Sequence, residues 1–214
     1  MAADRAQARR AALPWLAVLA AAVASAVVLG LLATRQRIAH NESAQVLKIL
    51  RVLLPAGSFD NEPDEDRILV TAPGLLGSDT PVPVYRARQA GRPTAAVLTV
   101  IARAGYLGPI RLLVALAPDG RVLAVRAVAH QETPGLGDRI DADKSPWIGR
   151  FAGRSLSDPP AAGWAVRRDG GEFDQITGAT VTSRAVVAAV RNAAEYFGSH
   201  REEIFDAPAQ GSTP

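Results

Sequence analysis

The chain has 214 residues, a formal net charge of +3 and no cysteine. The missing thiols exclude disulfides, thiolate catalysis and cysteine-held iron–sulfur clusters within this chain, so any redox work falls to an organic cofactor. Beyond the N-terminal residues the charges nearly balance and no basic stripe carries interleaved aromatics, which argues against nucleic acid despite a pI near 9.8.

The first element is apolar. The 24 residues between Arg10 and Arg35 bear no formal charge. As a helix they reach about 36 Å, enough to cross a hydrocarbon core of about 30 Å. Pro14 suits the first turn and Trp15 the interfacial belt. Ala24, Ser25 and Ala26 look like a signal-peptide cleavage box, but Val27 to Ala33 stay apolar beyond it, so an uncleaved anchor is the preferred reading. The expected organisation is an N-terminal segment over 1–10, a transmembrane helix over 11–34, one domain over 35–205 and a polar tail over 206–214. Arg5, Arg9 and Arg10 before the anchor are matched by Arg35, Arg37, Lys48 and Arg51 after it, so charge leaves sidedness open.

A helix is expected over Ser43 to Leu54, with Val46, Ile49, Leu50 and Leu53 on one face and Pro55-Ala-Gly57 as its stop. Ser58 to Asp66 reads as an acidic surface loop. Strands are expected over Arg67–Thr71, Val82–Arg86, Ala95–Ile101, Ile110–Leu116 and Arg121–Val128, the last two joined by a Pro118-Asp-Gly120 hairpin turn. Strands in the centre and helices at both ends predict an α+β domain.

Two glycine-punctuated segments interrupt the strands. Gly105-Tyr-Leu-Gly-Pro-Ile110 reads as a connecting turn. In His130-Gln-Glu-Thr-Pro-Gly-Leu-Gly137, Gly135 and Gly137 allow close backbone approach and Pro134 stiffens the turn. Such a turn suits a flat aromatic ligand, with Glu132 as acceptor, Thr133 as hydroxyl and Leu136 as apolar contact. An ordinary loop fits as well. Asp141 to Trp147 reads as surface helix, and Trp147 and Phe151 as packing aromatics. His40, His130 and His200 lack metal-ligand spacing.

Trp164 to Arg168 is expected as a short strand and Asp169-Gly-Gly171 as a turn. Then comes Asp174-Gln-Ile-Thr-Gly-Ala-Thr180, running on through Val181, Thr182 and Ser183 into an Ala/Val-rich helical pattern. Val186, Val190, Ala193 and Phe197 mark its apolar face, Ser183 its expected N-cap and Gly198 its expected stop. Unpaired amides at a helix start attract phosphate, and a hydroxyl held there can be esterified to one. The plainer reading is a capping loop.

Together, in this order, the anchor, Gly105–Ile110, Glu132–Gly137 and Asp174–Thr180 resemble the covalent-FMN domain of the Rnf complex G subunit, with the NqrC subunit of the sodium-pumping NADH:quinone oxidoreductase as a related homologue. The resemblance spans the chain from the anchor to about Phe205. It implies a mainly antiparallel sheet flanked by helices. It implies FMN joined by a phosphoester to Thr180, attached by a flavin transferase that uses FAD and a divalent metal ion. Asp174, Thr177, Gly178 and Ala179 match the transferase pattern, and Glu132, Thr133 and Leu136 match the segment bordering the isoalloxazine ring. The implied setting is the bacterial inner membrane, with residues 1–10 cytoplasmic and the domain periplasmic. There it carries electrons inside a complex that exchanges them between ferredoxin and NAD and moves ions. An NqrC-type subunit and a cofactor-free anchored scaffold are the alternatives.

Overall fold

In the computed structural model, residues 48–210 are described, and the expected strands form one five-stranded sheet in the order β1-β2-β3-β4-β5. They are β1 (Arg67–Ala72), β2 (Ser78–Gln89), β3 (Arg92–Ala102), β4 (Ile110–Leu116) and β5 (Val122–Ala129), each antiparallel to its neighbour. β4 has the limits expected, whereas β2 extends well beyond Val82–Arg86 at both ends. Gly120, at φ +86°, closes the β4–β5 hairpin, and the Ala117 amide donates to Arg121 O at 2.8 Å.

Side chains alternate along a strand, so Ala96, Leu98, Val100 and Ala102 of β3 share a face with Leu112, Val114 and Leu116 of β4. The C-terminal helix (Thr180–Asp206) joins the same core through Val186, Val190, Ala193 and Phe197, the apolar stripe expected for it. Each such side chain contributes about 1.5–3 kcal/mol on burial. The intervening positions Val97, Thr99, Leu113 and Ala115 are buried as well, so both faces of the central strands are withdrawn from water.

Several local expectations are corrected. Ser183 is not the N-cap: the helix starts at Thr180 behind Ala179, because the Ser183 hydroxyl turns back to accept the Ile176 amide at 2.9 Å and donate to Ala179 O at 2.9 Å. Gly198 does not stop the helix, which continues to Asp206 across a kink at His200; Ile204 and Phe205 beyond it are buried. Trp164 to Arg168 is not a strand. Only Val166 makes a single bridge to Phe173, and Arg167–Asp169 is a 3-10 turn ending in Gly170 at φ +88°. Asp141 to Trp147 is a turn leading into the 3-10 helix Pro146–Phe151, begun by Ser145, whose Oγ accepts the Trp147 amide at 3.1 Å. Asp66, at the end of the expected surface loop, is half-buried and pairs with Arg86 and Arg88.

Residues 48–53 are helical. The rest of the helix expected from Ser43, the anchor expected over 11–34, and His40 lie outside the described residues. Among the described residues no helix is long and apolar enough to cross a membrane.

Below the Asp174 segment, Phe151 packs against Trp147 (centroids 5.7 Å), Trp164 (6.4 Å) and Phe173 (4.9 Å). This aromatic box fixes the chain that leads into the helix start.

Candidate functional site

One buried carboxylate joins the three segments singled out by the sequence. Glu132, 5 % exposed, accepts the Thr182 hydroxyl on Oε2 at 2.6 Å and the Leu107 amide on Oε1 at 3.3 Å. Its own amide donates to His130 Nδ1 at 3.1 Å. Glu132 therefore ties the Gly105–Ile110 turn and the helix start to its own turn, across 25 and 50 residues of sequence. The glycines make room for it. A Cβ on Gly137 would stand 2.6 Å from Glu132 Oε2 and 3.1 Å from Thr182 Oγ1, and one on Gly105 would stand 2.9 Å from Glu132 Oε1.

Gly137→Ala is therefore expected to push Glu132 off Thr182 and cost about 1–3 kcal/mol, the usual penalty for overfilling a packed site. Urea denaturation of the purified protein checks the cost, and faster amide exchange at Leu107 checks the loosened contact.

The helix start has an unusual cap. Ala179 occupies the N-cap, no side chain bonds the first-turn amides, and no acidic residue sits in the first turn. Ser or Thr at this place would occupy one of those amides. Left without a side-chain partner at the positive end of a long helix, they favour an anion. Gly178, at φ +82°, would carry a Cβ only 2.9 Å from Leu136 Cδ2, so the two turns touch. Thr180 is half-buried at the first helical position, Thr177 and Gly178 are exposed, and Ala179 is buried.

The acidic end of the motif is held separately. Asp174 pairs with Arg150 and with Arg167 (Nε to Oδ1, 2.9 Å), and its carbonyl accepts the Trp147 indole N–H at 2.6 Å. The hydrogen bond from Arg150 holds the Asp174 carboxyl below its ordinary value, with the charges of Arg150 and Arg167 adding to it against the cost of desolvation. A depressed carboxyl contributes stability that is present above its unfolded value, about 3.9, and is lost as pH falls through the lower folded one. The Asp174 pairing is accordingly expected to persist across pH 5–8 and to give way only on acidification below about pH 4. The near-ultraviolet circular dichroism of Trp147 is the check. Because the carboxyl is partly exposed, the energetic effect is small.

The expected residues fall into two facing groups: Asp174, Thr177, Gly178, Ala179 and Thr180 on one side, and Glu132, Thr133 and Leu136 on the other. Thr133 works through its backbone, its carbonyl accepting the amides of Leu136 (3.1 Å) and Asp138 (3.3 Å). Glu132 differs most from its expected part, since both oxygens are engaged inside the protein rather than offered to a ligand. Leu107, His130, Thr182, Arg150 and Arg167 are additions that sequence reasoning missed; the resemblance drew attention only to the turn that contains Leu107.

Seven large hydrophobic side chains are exposed among the described residues, and four of them, Tyr106, Leu107, Leu136 and Val181, lie on the three converging segments. An exposed apolar group concentrated in this way marks a binding surface. Open amides for a phosphate, a glycine that permits close approach, and an apolar rim for a flat ring form a donor set that fits FMN.

The FMN-binding domain family matches residues 105–195. The G subunit of the ion-translocating oxidoreductase complex of Pseudomonas aeruginosa (strain UCBPP-PA14) is 52 % identical over 171 residues, covering 80 % of each chain. The protein of the same name from Pseudoalteromonas atlantica is 47 % identical over 174 residues, covering 81 % of each. A crystal structure of Shewanella oneidensis NqrC is 22 % identical with a TM-score of 0.48, covering 69 % of this chain and 76 % of that one. A likeness at that level decides nothing about function.

Proposed function

The chain belongs to the family of G subunits of the ion-translocating oxidoreductase complex, and from that premise we propose that it is the flavoprotein electron carrier of such a complex, with FMN joined by a phosphoester to Thr180. The observation that carries the reading is the convergence of three segments of the matched domain on Glu132, beside a helix start whose first-turn amides have no side-chain partner.

FMN supplies one- and two-electron redox chemistry; the protein supplies position and electrostatics. The first-turn amides offset the negative charge of a phosphodiester, and Gly178 admits the backbone to it. Leu136 and Val181 offer apolar contact to the ring. Of the nearby hydroxyls, Thr182 and Ser183 are buried and already bonded, whereas Thr180 makes no side-chain hydrogen bond among the described residues. Thr177 is likewise without a side-chain hydrogen bond among the described residues, but Thr180 is the one that stands in the first helical turn beside the open amides, and it reacts once, during maturation. Asp174, Thr177, Gly178 and Ala179 present the pattern that a flavin transferase reads. The segment over 11–34 anchors the chain in the inner membrane with its domain in the periplasm, within a complex that exchanges electrons between ferredoxin and NAD. The names of the relatives favour a G subunit over an NqrC-type one, and the match to the FMN-binding domain family speaks against a cofactor-free scaffold.

The test is co-expression with the transferase followed by a denaturing gel. Flavin fluorescence is expected in the protein band, and a dark band would overturn the reading.

A further inference from the structure

We propose that His130 is a positioning residue for the cofactor segment: its Nδ1 lone pair holds the Glu132 amide, and without that acceptor Glu132 is released from Leu107 and Thr182. The proposal rests on the reading that FMN sits at Thr180.

His130 follows the last residue of β5, and its side chain is 13 % exposed. Because Nδ1 accepts the Glu132 N–H, that nitrogen is unprotonated, and in the neutral ring the proton lies on Nε2. Nε2 then donates to Asp141 Oδ1 at 3.0 Å. Asp141 Oδ2 meets Lys144 Nζ at 3.0 Å, and the same amine meets Asp138 Oδ2 at 2.9 Å. The groups facing the ring are thus Asp141, with Lys144 and Asp138 behind it, and Glu132 on its own segment.

The Glu132 amide is held as long as Nδ1 offers it a lone pair. The amide and the carboxylate belong to one residue, so turning the amide away carries the carboxylate off Thr182 and Leu107. Thr182 lies two residues beyond Thr180, so the start of the cofactor-bearing helix loses its pin.

Two near-isosteres separate this from simple space filling. Asparagine sets its oxygen near the place of Nδ1 and accepts the Glu132 amide. Glutamine sets its amide near the place of Nε2, keeps Asp141 and leaves the Glu132 amide unpaired. In the full-length flavinylated protein, His130→Asn is expected to keep the flavin fluorescence anisotropy and the Leu107 and Glu132 amide resonances of the wild type. His130→Gln is expected to lower the anisotropy and shift those resonances, with amide exchange at Leu107 roughly five- to tenfold faster. Equal behaviour of the two variants overturns the proposal. The same two variants in Thr180→Val protein keep the two readings apart. A difference between them at Leu107 upholds the His130 contact even if no flavin is found on the parent; its absence counts against the contact whatever the flavin result.

Discussion

Thr180→Val is expected to give a folded protein whose band is dark on a denaturing gel and whose intact mass lacks the FMN increment. Valine keeps the branched shape at Cβ and removes only the hydroxyl, and that hydroxyl makes no hydrogen bond among the described residues. The fold should hardly notice: at a half-buried helix start the cost is at most about 0.5–2 kcal/mol, the range for losing a capping hydroxyl. The flavin loss should be complete, because a phosphoester needs an oxygen at that atom. The neighbours serve as controls. Thr180→Ser retains an oxygen and should retain flavin. Thr182→Val removes the donor to Glu132, so it should loosen the site and leave the flavin attached. Covalent fluorescence surviving in Thr180→Val would move the attachment to Thr177, the remaining exposed hydroxyl of the motif.

The strands were readable because a strand is written in consecutive residues. Ile110–Leu116 follows from a short apolar run bounded by turn residues, and the turn at Gly120 from local turn chemistry. Boundaries failed where distant contacts intervened. Gly198 sits exposed in a helix that tolerates it, because Ile204 and Phe205 are buried further along. Ser183 has the residue type of an N-cap, yet its hydroxyl is spent on Ile176 and Ala179. The actual cap, Ala179, breaks the ordinary preference for Ser, Thr, Asp or Asn, and the open amides that result are what a phosphate site requires. The site was legible as three motifs in order. Their convergence was not, since nothing local in Glu132 announces partners 25 and 50 residues away.

Arg86 is the extreme case of a residue the sequence misrepresents. The expected strand ended at Arg86, but β2 runs through it, and Arg86 occupies the core-facing row after Val82 and Val84 with 1 % exposure. It pairs with Asp66 and donates to Ile204 O at 3.1 Å and Ala207 O at 2.5 Å. Arg88 shares Asp66 at 2.7 Å and donates to Phe205 O at 2.6 Å. The two guanidiniums thus take up the carbonyls at the end of the helix that bears Thr180 at its start, where positive charge also suits the dipole. Arg86→Met keeps much of the apolar stem and removes the charge, leaving Asp66 with Arg88 and the Asn61 amide. The change also leaves the Ile204 and Ala207 carbonyls without their donor, at about 1–3 kcal/mol each, a large share of a domain's 5–15 kcal/mol. Urea denaturation should show that loss. Arg86→Met/Asp66→Asn should lose less than the two single changes added together, since the first removes the reason for the second. The damage should stay beyond the kink at His200: amide exchange should accelerate over 201–207 while 186–197, packed in the core, remain protected and the flavin load is unchanged. A loss below about 1 kcal/mol, or equal deprotection along the whole helix, would show that Arg86 is tolerated in the core rather than clamping the helix end.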